Sequence, residues 1–175
     1  MIPDFNLLIT TARGNERAMI NEILYLLKEE LGDPEAKAAK TKIRGLIVAK
    51  TALDSCKVIE NFRIILKERP YEIRYALRII PIQRVVPSNL DEIRQTTAEL
   101  ATAIGENQSF RVTVEKRYTS LHTKDLIEVS AGNIKRKVSL QNPDFVLQIQ
   151  VLGALTGISL IRPNDVLAVI KEKML

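Results

Sequence analysis

The sequence predicts a mixed α/β (α+β) chain built in two halves. Three observations predict it. Apolar residues recur at helical spacing in several segments and alternate with polar ones in others. A stretch containing Pro81, Pro87 and Ser88-Asn89 separates the two sets. The 175 residues suit one domain or two small ones, and 46% hydrophobic content supplies a packed core. The division falls near residues 83–88, giving a domain over 1–84 and a second over 85–175.

In the first half, Phe5 to Thr10 is a short apolar run read as a strand. Gly14 makes a turn and Asn15 caps the helix that follows, with Glu16 favourable at its positive end. Ile20, Ile23, Leu27 and Leu31 give that helix, about 15–31, one buried face, and Gly32-Asp33-Pro34 stops it. Ala38 to Ile43 and Gly45 to Thr51 read as two strands joined near Arg44-Gly45, or as one long bent strand. Asp54 caps a second helix whose buried side carries Val58, Ile59, Phe62, Ile65 and Leu66. Tyr75 to Ile82 is the last strand, with Pro81 marking its end or an edge. Strand–helix–strand–strand–helix–strand is the order of the ferredoxin-like split βαβ unit.

The second half opens on a helix started by Ser88, with Asp91 in capping-box position. Leu90, Ile93, Thr97, Leu100 and Ile104 form its buried stripe, and Gly105 fits the position just past its end. Phe110, Val112 and Val114 alternate on a strand. Thr123 caps a helix expected to reach Val138, with Ile127, Ala131, Ile134 and Val138 inward. Asn142-Pro143 turns the chain into an alternating strand, Phe145, Leu147, Ile149 and Val151, interleaved with Gln148 and Gln150. Another strand covers Leu155 to Ile161, and a short helix from Asn164 or Asp165 closes the chain. Helices between strands point to an α/β unit with a mostly parallel sheet.

Charge is uneven. The net charge is +5 with a pI of about 9.4. Residues 1–84 hold 15 Lys/Arg against 11 Asp/Glu, and residues 85–175 hold 11 against 10. Within the second half, residues 108–141 hold seven basic and three acidic residues, so the remainder of that half is acidic. Like charges held close repel, and a polyanionic partner is one reason to keep them together. Lys116-Arg117 follows a strand, and Lys135-Arg136-Lys137 is expected in the last turn of the helix, beside that pair. One Lys would serve the helix dipole there, but three in a row project to different sides. Arg111 and Lys124 are the other two basic residues of that stretch. Tyr118 reads as an ordinary surface tyrosine. Lys37, Lys40, Lys42 and Arg44 alternate along the predicted hairpin, as a solvated face or a second RNA-contacting edge, and Arg13 and Arg17 widen the basic surface.

Catalytic and metal chemistry find little support. One cysteine and one histidine make no zinc set and exclude an intrachain disulfide, which fits a reducing compartment. His122 stands without a carboxylate–nucleophile set, and Cys56 reads as a half-buried small side chain. One glycine at Gly14 is far short of a phosphate-loop fingerprint. No cofactor and no metal are expected. No signal peptide and no membrane-spanning run are legible, so the expected location is the cytoplasm.

A family resemblance rests on Phe110-Arg111-Val112-Thr113-Val114-Glu115-Lys116-Arg117, Thr123-Lys124-Asp125-Leu126-Ile127, Gly132 with Ile134, Val138 to Asp144, and Gly157-Ile158-Ser159-Leu160. On these residues the segment from about Ser88 onward resembles a THUMP domain, the RNA-binding module of several tRNA-modifying proteins. In that family a ferredoxin-like domain commonly precedes the module. The whole chain, with Thr10 to Glu16, is most similar to stand-alone THUMP proteins related to the adaptor for tRNA cytidine acetylation. The resemblance implies a non-catalytic tRNA-binding protein that delivers tRNA to a separate acetyltransferase. It also implies Arg111, Lys116, Arg117, Lys124, Lys135, Arg136 and Lys137 as candidates for RNA contact. An RNA-modifying enzyme and an interaction subunit with an acidic partner are the alternative readings.

Overall fold

The computed structural model describes residues 1–175. By its internal contacts the chain forms two units, Met1–Ile82 with Asn164–Leu175, and Gln83–Pro163. The sequence boundary at 84/85 lies close to the first crossing. The last twelve residues, placed by the sequence in the second domain, join the first unit because Leu167 and Val169 are apolar and are buried in its core.

The first unit runs β1 (Leu7–Thr11), α1 (Glu16–Tyr25), β2 (Lys37–Lys40), β3 (Leu46–Lys50), α2 (Ser55–Glu68) and β4 (Ala76–Pro81). A π-type turn, Leu26–Glu30, prolongs α1, and Gly32 stops it with φ of 76°. Asp54 caps α2 by accepting from the Lys57 N–H at 3.0 Å, and Val58, Ile59, Phe62, Ile65 and Leu66 are all buried. The strands form one antiparallel sheet, ordered β10-β4-β1-β3-β2, in which β10 is Leu167–Ala168. The expected helix from Asn164 or Asp165 is displaced: β10 comes first, and α5 (Val169–Lys173) follows.

Buried carboxylates hold the connections of this unit. Glu22 accepts from the backbone N–H groups of Arg74, Tyr75 and Ala76 at 2.7–3.2 Å. Asp33 accepts from Thr51 Oγ1 at 2.6 Å and from the Ala52 N–H at 2.9 Å. These bonds satisfy backbone donors that no strand partner reaches.

The second unit runs β5 (Arg84–Pro87), α3 (Leu90–Ala101), β6 (Ser109–Arg117), α4 (Thr123–Ala131), β7 (Lys137–Val138), β8 (Phe145–Leu152) and β9 (Leu155–Ile161), with sheet order β5-β9-β8-β6-β7. The sheet is mixed, not mostly parallel: β6 pairs in parallel with β7 and β8, whereas β8–β9 and β9–β5 are antiparallel. Only Gly153 and Ala154 separate β8 from β9, and so short a link permits only an antiparallel hairpin. Strand β5 lies where the sequence showed only a boundary; its Pro87 sits at the end of an edge strand, where no ladder donor is missed. Asn89, rather than Ser88, caps α3 by accepting from the Glu92 N–H at 2.8 Å, while Ser88 Oγ bonds Thr156 Oγ1. Helix α4 ends at Ala131, seven residues short of expectation, at the Gly132-Asn133 stop signal. Its buried residues are Leu126, Val129 and Ser130; Ile127 and Val138 are exposed.

No helix is long and apolar enough to cross a membrane.

Two outcomes test this architecture. Gly45 has φ of 77°, and a Cβ there would lie 2.7 Å from the Thr11 carbonyl oxygen, whereas Gly14, at φ of 96°, has open space. Left-handed backbone alone costs a non-glycine residue about 1–2 kcal/mol. Gly45→Ala should therefore lower the unfolding temperature clearly more than Gly14→Ala. Separately, the Arg69 guanidinium binds both Glu30 oxygens, at 2.8 and 2.9 Å. With a bond from Tyr25 it pulls the Glu30 carboxyl down to about 2. The folded value lies below the ordinary one, so this stabilisation is complete above pH about 4.5 and is lost as pH falls towards 2. Carbon-13 NMR titration should show that midpoint, and Arg69→Ala should raise it.

Candidate nucleic-acid interface

The candidate cations of the second unit occupy the two ends of β6. Arg111, Thr113, Glu115 and Arg117 fall on one face of the strand; Phe110, Val112 and Val114 pack into the core on the other. Lys116 and Arg117 sit at its C-terminal end, and Lys124 begins α4 just beyond. Lys137 pairs with Ser109 at the opposite end, and Lys135 and Arg136 precede it. Lys135-Arg136-Lys137 is therefore neither in the last turn of a helix nor beside Lys116-Arg117. About seven strand residues, roughly 23 Å, separate Lys116 from the register of Lys137. The reason is topological. A crossover between parallel strands returns the chain to the start of the first strand, so whatever follows α4 lies at the far end of β6.

The residues also differ in freedom. Lys124, Lys135 and Lys137 are exposed and make no ion pair. Lys116 is exposed, and its Nζ donates to the Leu121 carbonyl at 2.9 Å, bracing the loop into α4. Arg111 donates to the Leu140 carbonyl at 2.9 Å, and its Nε is buried without a partner. Arg136 donates through Nε to the Ile104 carbonyl at 3.1 Å, tying the segment after α4 to the end of α3. Arg117 is the most committed. Its guanidinium donates to Gln150 Oε1 at 2.9 Å and to Glu115 Oε2 at 3.2 Å. Gln150 in turn donates to Gln148 Oε1 at 2.9 Å and to Glu115 Oε1 at 3.3 Å. Gln148 and Gln150, which alternation alone put on a polar face, are buried members of this ladder.

Tyr118 is exposed and takes a left-handed backbone with φ of 52°. His122 is exposed and precedes α4 without capping it through its side chain. Cys56 is half-buried, and burial with Asp165 nearby pushes its thiol up to about 12. That is far from the depressed value of a reactive thiolate. No group of three or more His, Cys, Asp or Glu side chains is arranged to share a metal ion.

Sequence reasoning missed two features. Glu16, read only as favourable to a helix start, accepts from the Gly14 N–H at 2.9 Å and the Gly45 N–H at 3.0 Å. It thereby joins two loops far apart in sequence. A cleft of about 340 Å³ is lined by Tyr25, Tyr71 and Tyr75, three of the four tyrosines. No local spacing signals it, because Tyr25 lies on α1 and Tyr71 and Tyr75 on the segment, not α-helical, that leads into β4.

Arg117→Ala strands the buried Gln150 oxygen, and an unsatisfied buried acceptor costs about 1–3 kcal/mol. Denaturant unfolding should show that loss, with Lys124→Ala within about 0.5 kcal/mol of wild type.

Among solved structures the fold is shared with PH1313 from Pyrococcus horikoshii Ot3, at 20% identity, TM-score 0.58, over 90% of this chain and 55% of that one. It is shared with TrmN from Thermus thermophilus, at 16% identity, TM-score 0.61, over 90% and 46%. A 4-thiouridine synthetase in complex with RNA and bound ATP matches at 17% identity, TM-score 0.50, over 90% and 42%. The chain thus spans about half the length of the structures it matches. No curated protein matches the chain. A family model for the THUMP domain matches residues 87–161, from the end of β5 to the end of β9. Residues 87–161 are a THUMP domain.

Proposed function

We propose that this chain is a non-catalytic tRNA-binding protein that presents tRNA to a separate modification enzyme. The THUMP domain at residues 87–161 carries the reading, because that domain implies RNA binding and tRNA modification. Exposed cations at both ends of β6 support it: Lys116 and Lys124 at one, Lys135 and Lys137 at the other. Two sets roughly 23 Å apart suit a long polyanion better than a small phosphate ligand. Arg111, Arg117 and Arg136 hold the neighbouring loops and sheet face through the bonds described above and shape the surface between the sets. The first unit is read as ferredoxin-like, supported by its element order and its β4-β1-β3-β2 strand order. The partner enzyme proposed is a cytidine N4-acetyltransferase, on the sequence resemblance to the acetylation adaptor, and the site of action is the cytoplasm.

Binding of tRNA across a salt series tests the RNA half of this reading. Removal of one phosphate contact lowers the slope of log affinity against log salt by about 1. Paired alanines at Lys135 and Lys137, or at Lys116 and Lys124, should each lower it by about 2. Absence of binding by the wild type at low salt would overturn the proposal. Nucleoside analysis of tRNA from a strain lacking the gene tests the partner: N4-acetylcytidine alone should vanish. Modification of tRNA by the pure protein with acetyl-CoA or S-adenosylmethionine would replace the adaptor with an enzyme.

A further inference from the structure

The strongest unassigned charge lies in the first unit. Arg13 and Arg17 flank the β1–α1 turn, and Lys40, Lys42 and Arg44 lie along the β2–β3 connection. The two segments are stitched together. Glu16 accepts from Gly14 and Gly45, the Thr11 N–H donates to the Gly45 carbonyl at 2.9 Å, and a Cβ at Gly45 would lie 3.9 Å from Arg13 Cγ. All five cations are exposed and none makes an ion pair. The one carboxylate among them, Glu16, spends both oxygens on backbone N–H groups, and those bonds hold its carboxyl below the ordinary range.

Edge protection is the simpler account of lysines on β2, which ends the sheet. It does not account for Arg13, Arg17 or Arg44, which lie off that edge strand. The tyrosine cleft gives the patch a direction. Arg17, Asn21 and Tyr25 follow at four-residue spacing and so share one face of α1. That face leads from the cations to the cleft, where Tyr71 is largely exposed and the Arg74 guanidinium lies 5.7 Å from the centre of the Tyr75 ring. The acids lining the cleft are occupied: Glu22 by three backbone N–H groups, Glu72 by Arg69 at 3.8 Å. Tyr75 packs on the core with Arg74 over its ring, so Tyr71 is the ring open to a base. Cations beside an exposed ring are the arrangement that holds single-stranded nucleic acid, phosphates on the cations and bases on the ring.

We propose that the first unit binds a single-stranded RNA segment, with its phosphates on Arg13, Arg17 and Arg44 and a base on the exposed Tyr71 ring at the mouth of the tyrosine cleft. The proposal rests on the tRNA-binding reading of the whole chain. The test measures binding of tRNA and of a single-stranded oligonucleotide to the full chain across a salt series. The triple variant Arg13→Ala/Arg17→Ala/Arg44→Ala should lower the salt slope by about 3 with an unchanged melting temperature. A control with the same charge loss elsewhere, Lys57→Ala/Lys67→Ala/Lys171→Ala, should leave the slope unchanged. Tyr71→Ala should weaken oligonucleotide binding about fivefold or more, yet leave heparin, a polyanion without bases, unaffected. An unchanged slope in the arginine variant overturns the proposal, as does an equal fall in the control. Equal binding of oligonucleotide by Tyr71→Ala and wild type also overturns it. If wild type binds and only these variants fail to differ from it, this inference falls and the tRNA-binding reading stands. If wild type binds no tRNA, both fall.

Discussion

The parallel pairing of β6 with β8, eight residues long from Phe110↔Phe145 to Arg117↔Leu152, decides where the charged side chains of the THUMP domain lie. Parallel neighbours require a crossover, and here the crossover is α4. It starts at the C-terminal end of β6 and delivers the chain back to the N-terminal end. Residues adjacent in sequence to the two ends of α4 are therefore set apart in space by the length of a strand. A basic segment that looks compact along the chain becomes two groups that bracket a sheet. The same register places Glu115 opposite Gln150 and Thr113 opposite Gln148, which is what lets Arg117 complete a buried polar ladder.

That constraint marks the limit of what was legible in the sequence. Helix α2 was readable residue by residue, because its cap at Asp54 and its apolar face are both fixed within a few residues of chain. The order of elements in the first unit was readable for the same reason. The end of α4 was misjudged although its signal was present: Gly132-Asn133 stops the helix, but the apolar spacing of Ile134 and Val138 continued past it. Strand β5 was invisible because four residues ending in proline look like a linker until β9 offers an edge to pair with. The burial of Gln148 and Gln150 was not legible, because alternation reports which face a side chain is on, not whether that face meets water.

The basic residues look clustered along the chain but are set apart in the fold, and the reason is physical. Local charge density is a property of the chain; proximity is a property of topology. Arg117 shows the difference most sharply. It has the same charge as Lys137, yet its guanidinium is engaged by Glu115 and Gln150, while Lys137 stands in solvent. Arginine suits such a role because its planar fork can satisfy two acceptors at once, which an ammonium on a flexible stem does less well.

Several acidic residues are committed to the fold's own neutral donors rather than to ion pairs with lysine or arginine. Glu16, Glu22, Asp33 and Asp144 spend their oxygens on backbone N–H or hydroxyl donors within the fold. Each such carboxylate organises a loop, and Glu16 and Asp33 still feel the charges of Lys40 and Lys28. Asp144 accepts from Ser109 N and thereby anchors the start of β6, next to Lys137. Glu16 does the same between the two basic loops of the first unit. Cations left without carboxylate partners keep their full charge available to a ligand, at the cost of mutual repulsion that the loop-anchoring bonds must offset. A hydrogen bond from a neutral N–H does not cancel a carboxylate's charge, so the net charge still counts these acids. What the bonds change is geometry: they leave nearby lysines and arginines without a carboxylate clasp, so those side chains can reach a polyanion without first breaking an ion pair.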